Sequence, residues 1–198
     1  EDIIAQVNFA CQSGRKAYWV CTLINESETL ECEAAEKVSS ELQEKLPQVS
    51  IGLVHGGLTS QEKNRRMQEF KKGNLDLLVC TTVIEVGVDV PNASLMIIEN
   101  SERLGLAQLH QLRGRVGRGS EASHCLLLYK KPLGAISRQR LDVMRTSNDG
   151  FFIAEKDLEM RGPGEIFGTL QSGELRLKIA DLQRDKEIVA QSAEAAVE

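Results

Sequence analysis

Short apolar runs alternate with amphipathic stretches along the first two thirds of the chain. Five runs have the length and composition of buried strands, at residues 18–22, 49–54, 75–81, 95–99 and 125–129. Apolar residues recur every fourth position from Leu30 to Leu46, which predicts an amphipathic helix that begins near Ser27 and ends before Pro47. Strands that alternate with helices predict an α/β fold with an open parallel sheet.

Sequence patterns typical of helices occur both before and after Pro132, whereas patterns typical of strands occur only before it. Thr59 and Glu62 form a capping-box pattern that opens a helix, and Gly73 ends it. Beyond Pro132 we predict two helices, at residues 136–144 and 154–161, and no further strand. The sequence thus predicts an α/β domain over residues 1–132 and a helical appendage with a polar tail over residues 133–198.

Composition excludes several classes of protein. The 198 residues are 41% hydrophobic, carry 24 Lys and Arg against 29 Asp and Glu, and include no apolar run long enough to span a bilayer. Five cysteines are scattered without a C-x-x-C pair, and the three histidines lie far apart. We therefore expect no disulfide framework, no metal site and no membrane partner, and we place the protein in a reducing cytoplasm without a secretory signal.

Positive charge is concentrated in one segment of this acidic chain. Residues 100–146 contain nine Arg and Lys against three acidic residues. Within it, three arginines (Arg113, Arg115 and Arg118) are interspersed with glycines. A helical turn would project Arg115 and Arg118 from one face, suited to phosphate oxygens, and glycine lets backbone approach a ligand. On residue type alone, a basic loop engaged in surface ion pairs is an equal alternative.

A second polar stretch follows the third predicted strand. Residues 81–91 lie at the carboxyl end of that strand, where open α/β sheets bind their ligands. Thr81 and Thr82 can donate their hydroxyl groups to a phosphate, Gly87 can admit a nucleotide closely, and Asp89 can accept from a ribose hydroxyl or from an arginine. We expect the two arginines to point toward the same carboxyl edge. Each residue also has a purely structural explanation: strand propensity for the two threonines, a turn for Gly87 and a local cap for Asp89.

Together these stretches resemble motifs of the superfamily 2 helicases. Gln111-x-x-Gly114-Arg115-x-x-Arg118 is similar to motif VI, residues 81–91 to motif V, and residues 18–27 to motif IV. Residues 149–165 resemble the translocation motif of the RecG family of bacterial branched-DNA helicases. The resemblance runs over nearly the whole chain. It implies a RecA-like sheet of the P-loop NTPase fold, as in a helicase C-terminal domain, followed by a C-terminal helical hairpin.

The resemblance also implies roles for individual residues. Arg115 and Arg118 would be catalytic arginine fingers, and Gly87, Asp89 and Gln111 would contact or sense the bound nucleotide. DNA binding or coupling would fall to His55, Gly56, Thr81, Thr82, Arg161, Glu165 and Gln171. The chain departs from the family at Leu170, where arginine is usual, and at Thr22, where proline is common. We expect Thr22 to affect only the local backbone.

No G-x-x-x-x-G-K-[ST] loop and no acidic magnesium-binding box occur in the sequence. We therefore expect no ATP hydrolysis by this chain alone. The resemblance implies that ATP and Mg²⁺ bind in the full-length enzyme, between this domain and a first motor domain, with an N-terminal wedge domain and branched DNA as further partners. We expect a monomer. Two alternatives remain open: a transcription-repair coupling translocase and a passive nucleic-acid docking module.

Overall fold

The computed structural model describes residues 2–22, 28–81, 90–119 and 122–161. The chain divides into two compact units, residues 1–148 and 149–198. Within the described residues, no helix combines the length and the apolar character that crossing a membrane requires. The predicted division at residue 132 stays a prediction about domain organisation.

The first unit is built on a five-stranded sheet in which every pair of neighbouring strands is parallel. Its spatial order is β2-β3-β1-β4-β5. The strands are β1 (Lys16–Cys21), β2 (Ile51–Val54), β3 (Leu77–Thr81), β4 (Ala93–Ile98) and β5 (His124–Leu127). The three central strands are buried along their whole length, because helices cover both faces of the sheet. The predicted parallel α/β fold is confirmed.

Helices of the first unit pack on opposite faces of this sheet. They are α1 (Asp2–Gln12), α2 (Glu28–Lys45), α3 (Ser60–Lys72), α4 (Leu106–Arg113) and α5 (Ala135–Thr146), with a short 3₁₀ helix at Ser101–Arg103. Trp19 of β1 faces a core that includes residues of α1 and α2. The next side chain toward the amino end, Tyr18, faces the other way and meets Phe70 of α3 edge to face, with ring centroids 5.0 Å apart.

The helix α3 shows how local sequence sets an element's ends. Thr59 and Glu62 form the predicted capping box, and Gly73 ends the helix in the left-handed region at φ 93°. Lys16, buried at the start of β1, donates its ammonium protons to the carbonyl oxygens of Phe70 and Lys71. A cation there complements the negative end of the helix dipole.

The second unit contains one described helix, α6 (Gly150–Arg161). It begins four residues before the predicted start because the Asp149 carboxylate accepts a hydrogen bond from the backbone N–H of Phe151 (2.8 Å) and so caps the first turn. Helix α1 is a further difference, because it was not predicted from the sequence.

Candidate functional site

The segment at residues 114–119, here called the arginine loop, follows α4 and packs on the start of β4. The backbone N–H of Gly117 donates to the carbonyl of Ala93 (3.3 Å), and Gly117 has a φ of 78°, which favours glycine. A Cβ on Gly119 would lie 2.6 Å from the carbonyl oxygen of Pro91. These two glycines therefore allow the loop to approach the protein itself, rather than a ligand.

The arginine loop lies at the amino edge of the sheet, since Ala93 is the first residue of β4. The prediction that its arginines point to the carboxyl edge is wrong. Helix α4 begins beyond the carboxyl end of β4 and runs back toward the amino ends of the strands, so the loop after it arrives at the opposite edge. Arg115 and Arg118 do not share a helical turn, because α4 ends at Arg113 and Gly117, between the two arginines, has a left-handed φ of 78°.

Arg113 has a structural role. Its Nη1 donates to the carbonyl oxygens of Met144 (3.0 Å) and Ser147 (2.7 Å), and its Nη2 lies 3.2 Å from the Nδ1 of His110. Burial lowers the pKa of the Arg113 guanidinium. The side chain thus fastens α4 to the end of α5 and is not available to a ligand.

The other two arginines of the motif remain accessible. Arg115 is half-buried, and no described acidic side chain lies within ion-pair distance of its guanidinium group. Arg118 is exposed, and its Nε donates to the carbonyl of Gly114 (2.9 Å). Arg118 is thus exposed and Arg115 is half-buried, so both side chains lie at the surface of the domain.

Gln111 lies close to the arginine loop, in the last turn of α4. Its side chain is exposed, whereas Leu106, Leu109 and Leu112 of the same helix are buried. Gly87 and Asp89, the other predicted nucleotide-contacting residues, lie outside the described residues, but the chain resumes at Val90 just before β4.

Predicted DNA-contacting residues lie at the carboxyl edge. Thr81 ends β3, and His55 and Gly56 follow β2, its neighbour in the sheet. Thr81 is 2% exposed and His55 9% exposed, and the Nε2 of His55 is 3.7 Å from the Oε1 of Glu36. The carbonyl of Gly56 accepts from the Nζ of Lys63 (2.8 Å). Both side chains at the strand ends are therefore turned inward.

The remaining predicted coupling residues are largely outside the described part of the chain. Thr82, Glu165 and Gln171 are not described. Arg161 is the last residue of α6, and only its backbone is described. The structure therefore brings together Gln111, Arg115 and Arg118 at one edge of the sheet, and His55, Gly56 and Thr81 at the other.

A polar latch across the carboxyl ends of β1 and β4 was not predicted. The Oγ1 of Thr22 donates to the carbonyls of Glu99 and Asn100, and the Nδ2 of Asn100 donates back to the carbonyl of Thr22 (3.2 Å). Asn100 has a left-handed φ of 44°, a conformation that asparagine tolerates. The expectation that Thr22 affects only its local backbone is wrong, because its side chain joins two strands.

The side chain of Glu99 adds a further hydrogen bond between the ends of β1 and β4. Its Oε1 accepts a hydrogen bond from the indole Nε1 of Trp19 (2.9 Å). Burial raises the pKa of the Glu99 carboxyl, against the lowering effect of the Trp19 hydrogen bond and of Lys130. The only signals in the sequence for these contacts are polar residues directly after two apolar runs.

Comparisons with known proteins match both units. The family model of the helicase conserved C-terminal domain covers residues 2–120, and that of the C-terminal part of domain 3 of the ATP-dependent DNA helicase RecG covers residues 147–198. The RecG helicase of Escherichia coli K12 is 64% identical over 189 residues, which are 95% of this chain and 27% of the relative. That of Bacillus subtilis is 46% identical over 184 residues, 92% of this chain and 27% of the relative.

Solved structures agree with these matches. A structure of RecG bound to a three-way DNA junction has a TM-score of 0.73 and 43% identity, over 94% of this chain and 24% of that one. The Mycobacterium smegmatis helicase Lhr, at 21% identity and a TM-score of 0.52 over 72% of this chain and 19% of its own, shares the fold.

This chain spans about a quarter of the length of the relatives it matches. The family model over residues 2–120 and the structural match to RecG agree with each other. The chain belongs to the helicase conserved C-terminal domain family, and its sequence is similar to that of the RecG helicases.

Proposed function

We propose that this chain is the C-terminal motor half of an ATP-dependent DNA translocase or helicase that remodels branched DNA. The matched relatives are named ATP-dependent DNA helicases, and one solved relative is bound to a three-way DNA junction. The observation that carries the proposal is the arginine loop, which holds the exposed Arg118 and the half-buried Arg115 on a domain of the helicase C-terminal family. The family matches favour this function over a coupling translocase or a passive docking module.

Arg115 and Arg118 act as arginine fingers on an ATP molecule held mainly by the other motor domain. Two guanidinium groups fit a triphosphate, because they present forked donors to its oxygens. When bound, ATP supplies the phosphoryl group whose transfer to water drives the motor. The two arginines stabilise charge that spreads over the transferred group, an effect of roughly 10³ to 10⁵ in rate in other phosphoryl-transfer proteins. We assign Gln111, Gly87 and Asp89 to binding or sensing the same nucleotide.

This arrangement explains why the arginine loop is at the amino edge. The rule that ligands bind at the carboxyl edge applies to a domain whose own loops hold the phosphates. A domain that completes a partner's pocket can use any surface that faces the partner. The described residues contain no cluster of three or more His, Cys, Asp or Glu able to hold a metal ion, and we assign Mg²⁺ to the other motor domain.

DNA binds along the carboxyl edge. His55 and Thr81 are buried there, so we assign them to positioning the backbone of the turn at Gly56 and of the segment that begins at Thr82, rather than to direct contact. Arg161, Glu165 and Gln171 couple domain closure to DNA movement. Contacts to phosphates, rather than bases, suit an enzyme that selects the shape of a junction. We assign the enzyme to the bacterial cytoplasm, as a monomer.

Exchange of the motor half tests this function. The chain replaces the matching part of E. coli K12 RecG, to which it is 64% identical, and the chimaera is assayed for DNA-stimulated ATP hydrolysis. Arg118→Ala should lower kcat at least 10³-fold without changing the affinity for a three-way junction. Arg145→Ala is the matched control, since this arginine is 77% exposed and, within the part of the chain that the structure describes, pairs with Asp142 of its own helix. Undiminished hydrolysis by Arg118→Ala removes the arginine-finger role.

A further inference from the structure

A hollow of about 490 Å³ opens at the amino edge of the sheet, lined by Ser13, Gly14, Arg15 and Asn92. We propose that this amino-edge hollow binds a phosphate group of the nucleotide that meets the arginine loop, with Arg15 as the cation and Asn92 as a second donor. This inference rests on the proposed function and adds a binding residue that the helicase motifs of the sequence do not contain.

Tight local structure places Arg15 at the entrance of β1. Helix α1 ends at Gly14, whose φ of 77° favours glycine. The N–H of Gly14 donates to the carbonyl of Cys11 and that of Arg15 to the carbonyl of Ala10, both at 3.0 Å, so the turn closes on the last carbonyls of the helix. The next residue, Lys16, begins β1. The position of the Arg15 backbone is therefore set on both sides.

The chemistry of the hollow suits an anion. The Arg15 guanidinium carbon lies 5.7 Å from the centroid of the Phe9 ring, which orients the fork through a cation–π contact. No described acidic side chain lies within ion-pair distance of Arg15. The exposed amide of Asn92 adds a neutral donor. Phosphate oxygens match both kinds of donor.

Backbone hydrogen bonds join this hollow to the arginine loop. The N–H of Lys16 donates to the carbonyl of Asn92 (3.0 Å), and the N–H of Gly117 donates to the carbonyl of Ala93 (3.3 Å). Arg15 and the arginine loop thus flank the start of one strand, β4. Because β4 lies between them, the backbone of Arg15 and that of the arginine loop are two strand spacings of about 4.8 Å apart, which is about 10 Å. One nucleotide, reached from each side by an extended arginine, bridges that distance.

Position also decides between two sources of phosphate. A DNA backbone is the other source, but the residues assigned to DNA are at the carboxyl ends of β2 and β3. Strand β4 alone has six residues, which separates the two edges by about 20 Å. The hollow lies at the same edge of the sheet as the arginine loop and at the opposite edge from the residues assigned to DNA binding. A nucleotide is therefore the favoured source of the phosphate.

Steady-state kinetics on the same chimaera test the inference. Arg15→Gln should raise the KM for ATP about tenfold with kcat within twofold, because it removes a charge that binds substrate without acting on the transition state. Arg15→Lys should restore most of the loss. Asn92→Asp, which adds a negative charge to the hollow, should also raise the KM. The control is Arg65→Gln, an arginine 66% exposed on α3 and paired with Glu69.

The outcomes are distinguishable. An unchanged KM in both Arg15→Gln and Asn92→Asp overturns the inference, provided that thermal melting shows both variants folded. A normal KM with weaker binding to a three-way junction assigns the hollow to DNA backbone and also overturns it. Loss of kcat in Arg118→Ala together with a normal KM in Arg15→Gln leaves the proposed function standing, whereas undiminished turnover in Arg118→Ala removes the proposed function itself.

Discussion

Replacing Gly119 with alanine tests whether packing of the arginine loop on the sheet controls the motor. The added Cβ would lie 2.6 Å from the carbonyl oxygen of Pro91, where ordinary contact begins at 3.4 Å. The neighbour is backbone at the entrance to β4, so it cannot rotate away as a side chain would. The loop must therefore move by about 0.8 Å, the difference between those two distances.

The size of the effect follows from that displacement. A shift of about 1 Å in a group that stabilises a transition state can lower the rate 10²-fold. Forcing one methyl group into a packed site costs about 1–3 kcal/mol of unfolding free energy. We therefore expect Gly119→Ala to lower kcat of the chimaera 10- to 100-fold, while the melting temperature falls by only several degrees.

Gly114→Ala supplies a control in the same loop. Gly114 has an α-helical φ of −66°, and a Cβ there would meet its nearest atoms at 3.5 Å, an ordinary contact. Alanine at that position should leave kcat within twofold and stabilise the fold slightly by restricting the unfolded chain. If Gly119→Ala keeps normal turnover, or if both variants lose it equally, then the close approach to Pro91 does not position the arginines.

Two further substitutions test other parts of the fold. Lys16→Met should lower the unfolding free energy by about 1–3 kcal/mol, measured by urea denaturation, because the carbonyls of Phe70 and Lys71 lose a buried charged donor; an unchanged midpoint would show that water replaces the lysine. Burial raises the pKa of Glu99 above its ordinary value of 4.5, so the protonated carboxyl is the form that favours the folded state. Its contribution to stability is complete below pH 4.5 and is lost as the pH rises through the pKa of Glu99 in the folded protein. Glu99→Gln, which can still accept from Trp19, should thus raise the melting temperature at pH 8 and not at pH 4, and an equal change at both pH values contradicts the sign.

Local sequence determined much of this fold by itself. The capping box at Thr59 and the stop at Gly73 lie where the sequence predicts them, because a helix end depends on hydrogen bonds made within a few residues. The five strands follow from short apolar runs, and in the three central strands these side chains are buried on both faces of the sheet. The motif with Arg115 and Arg118 was visible for the same reason, since its spacing is contained in eight residues.

Tertiary structure alone decided where those residues lie in space. The edge of the sheet that receives the arginine loop depends on the direction in which α4 runs back over the strands, and the loop's path depends on contacts with Pro91 and Ala93, more than twenty residues earlier. Arg113 and Arg115 look alike in the sequence, but only Arg113 meets the carbonyls at the end of α5. A contact between distant segments leaves no pattern in the sequence around either residue, because the local structure around each residue forms whether or not the other residue is near.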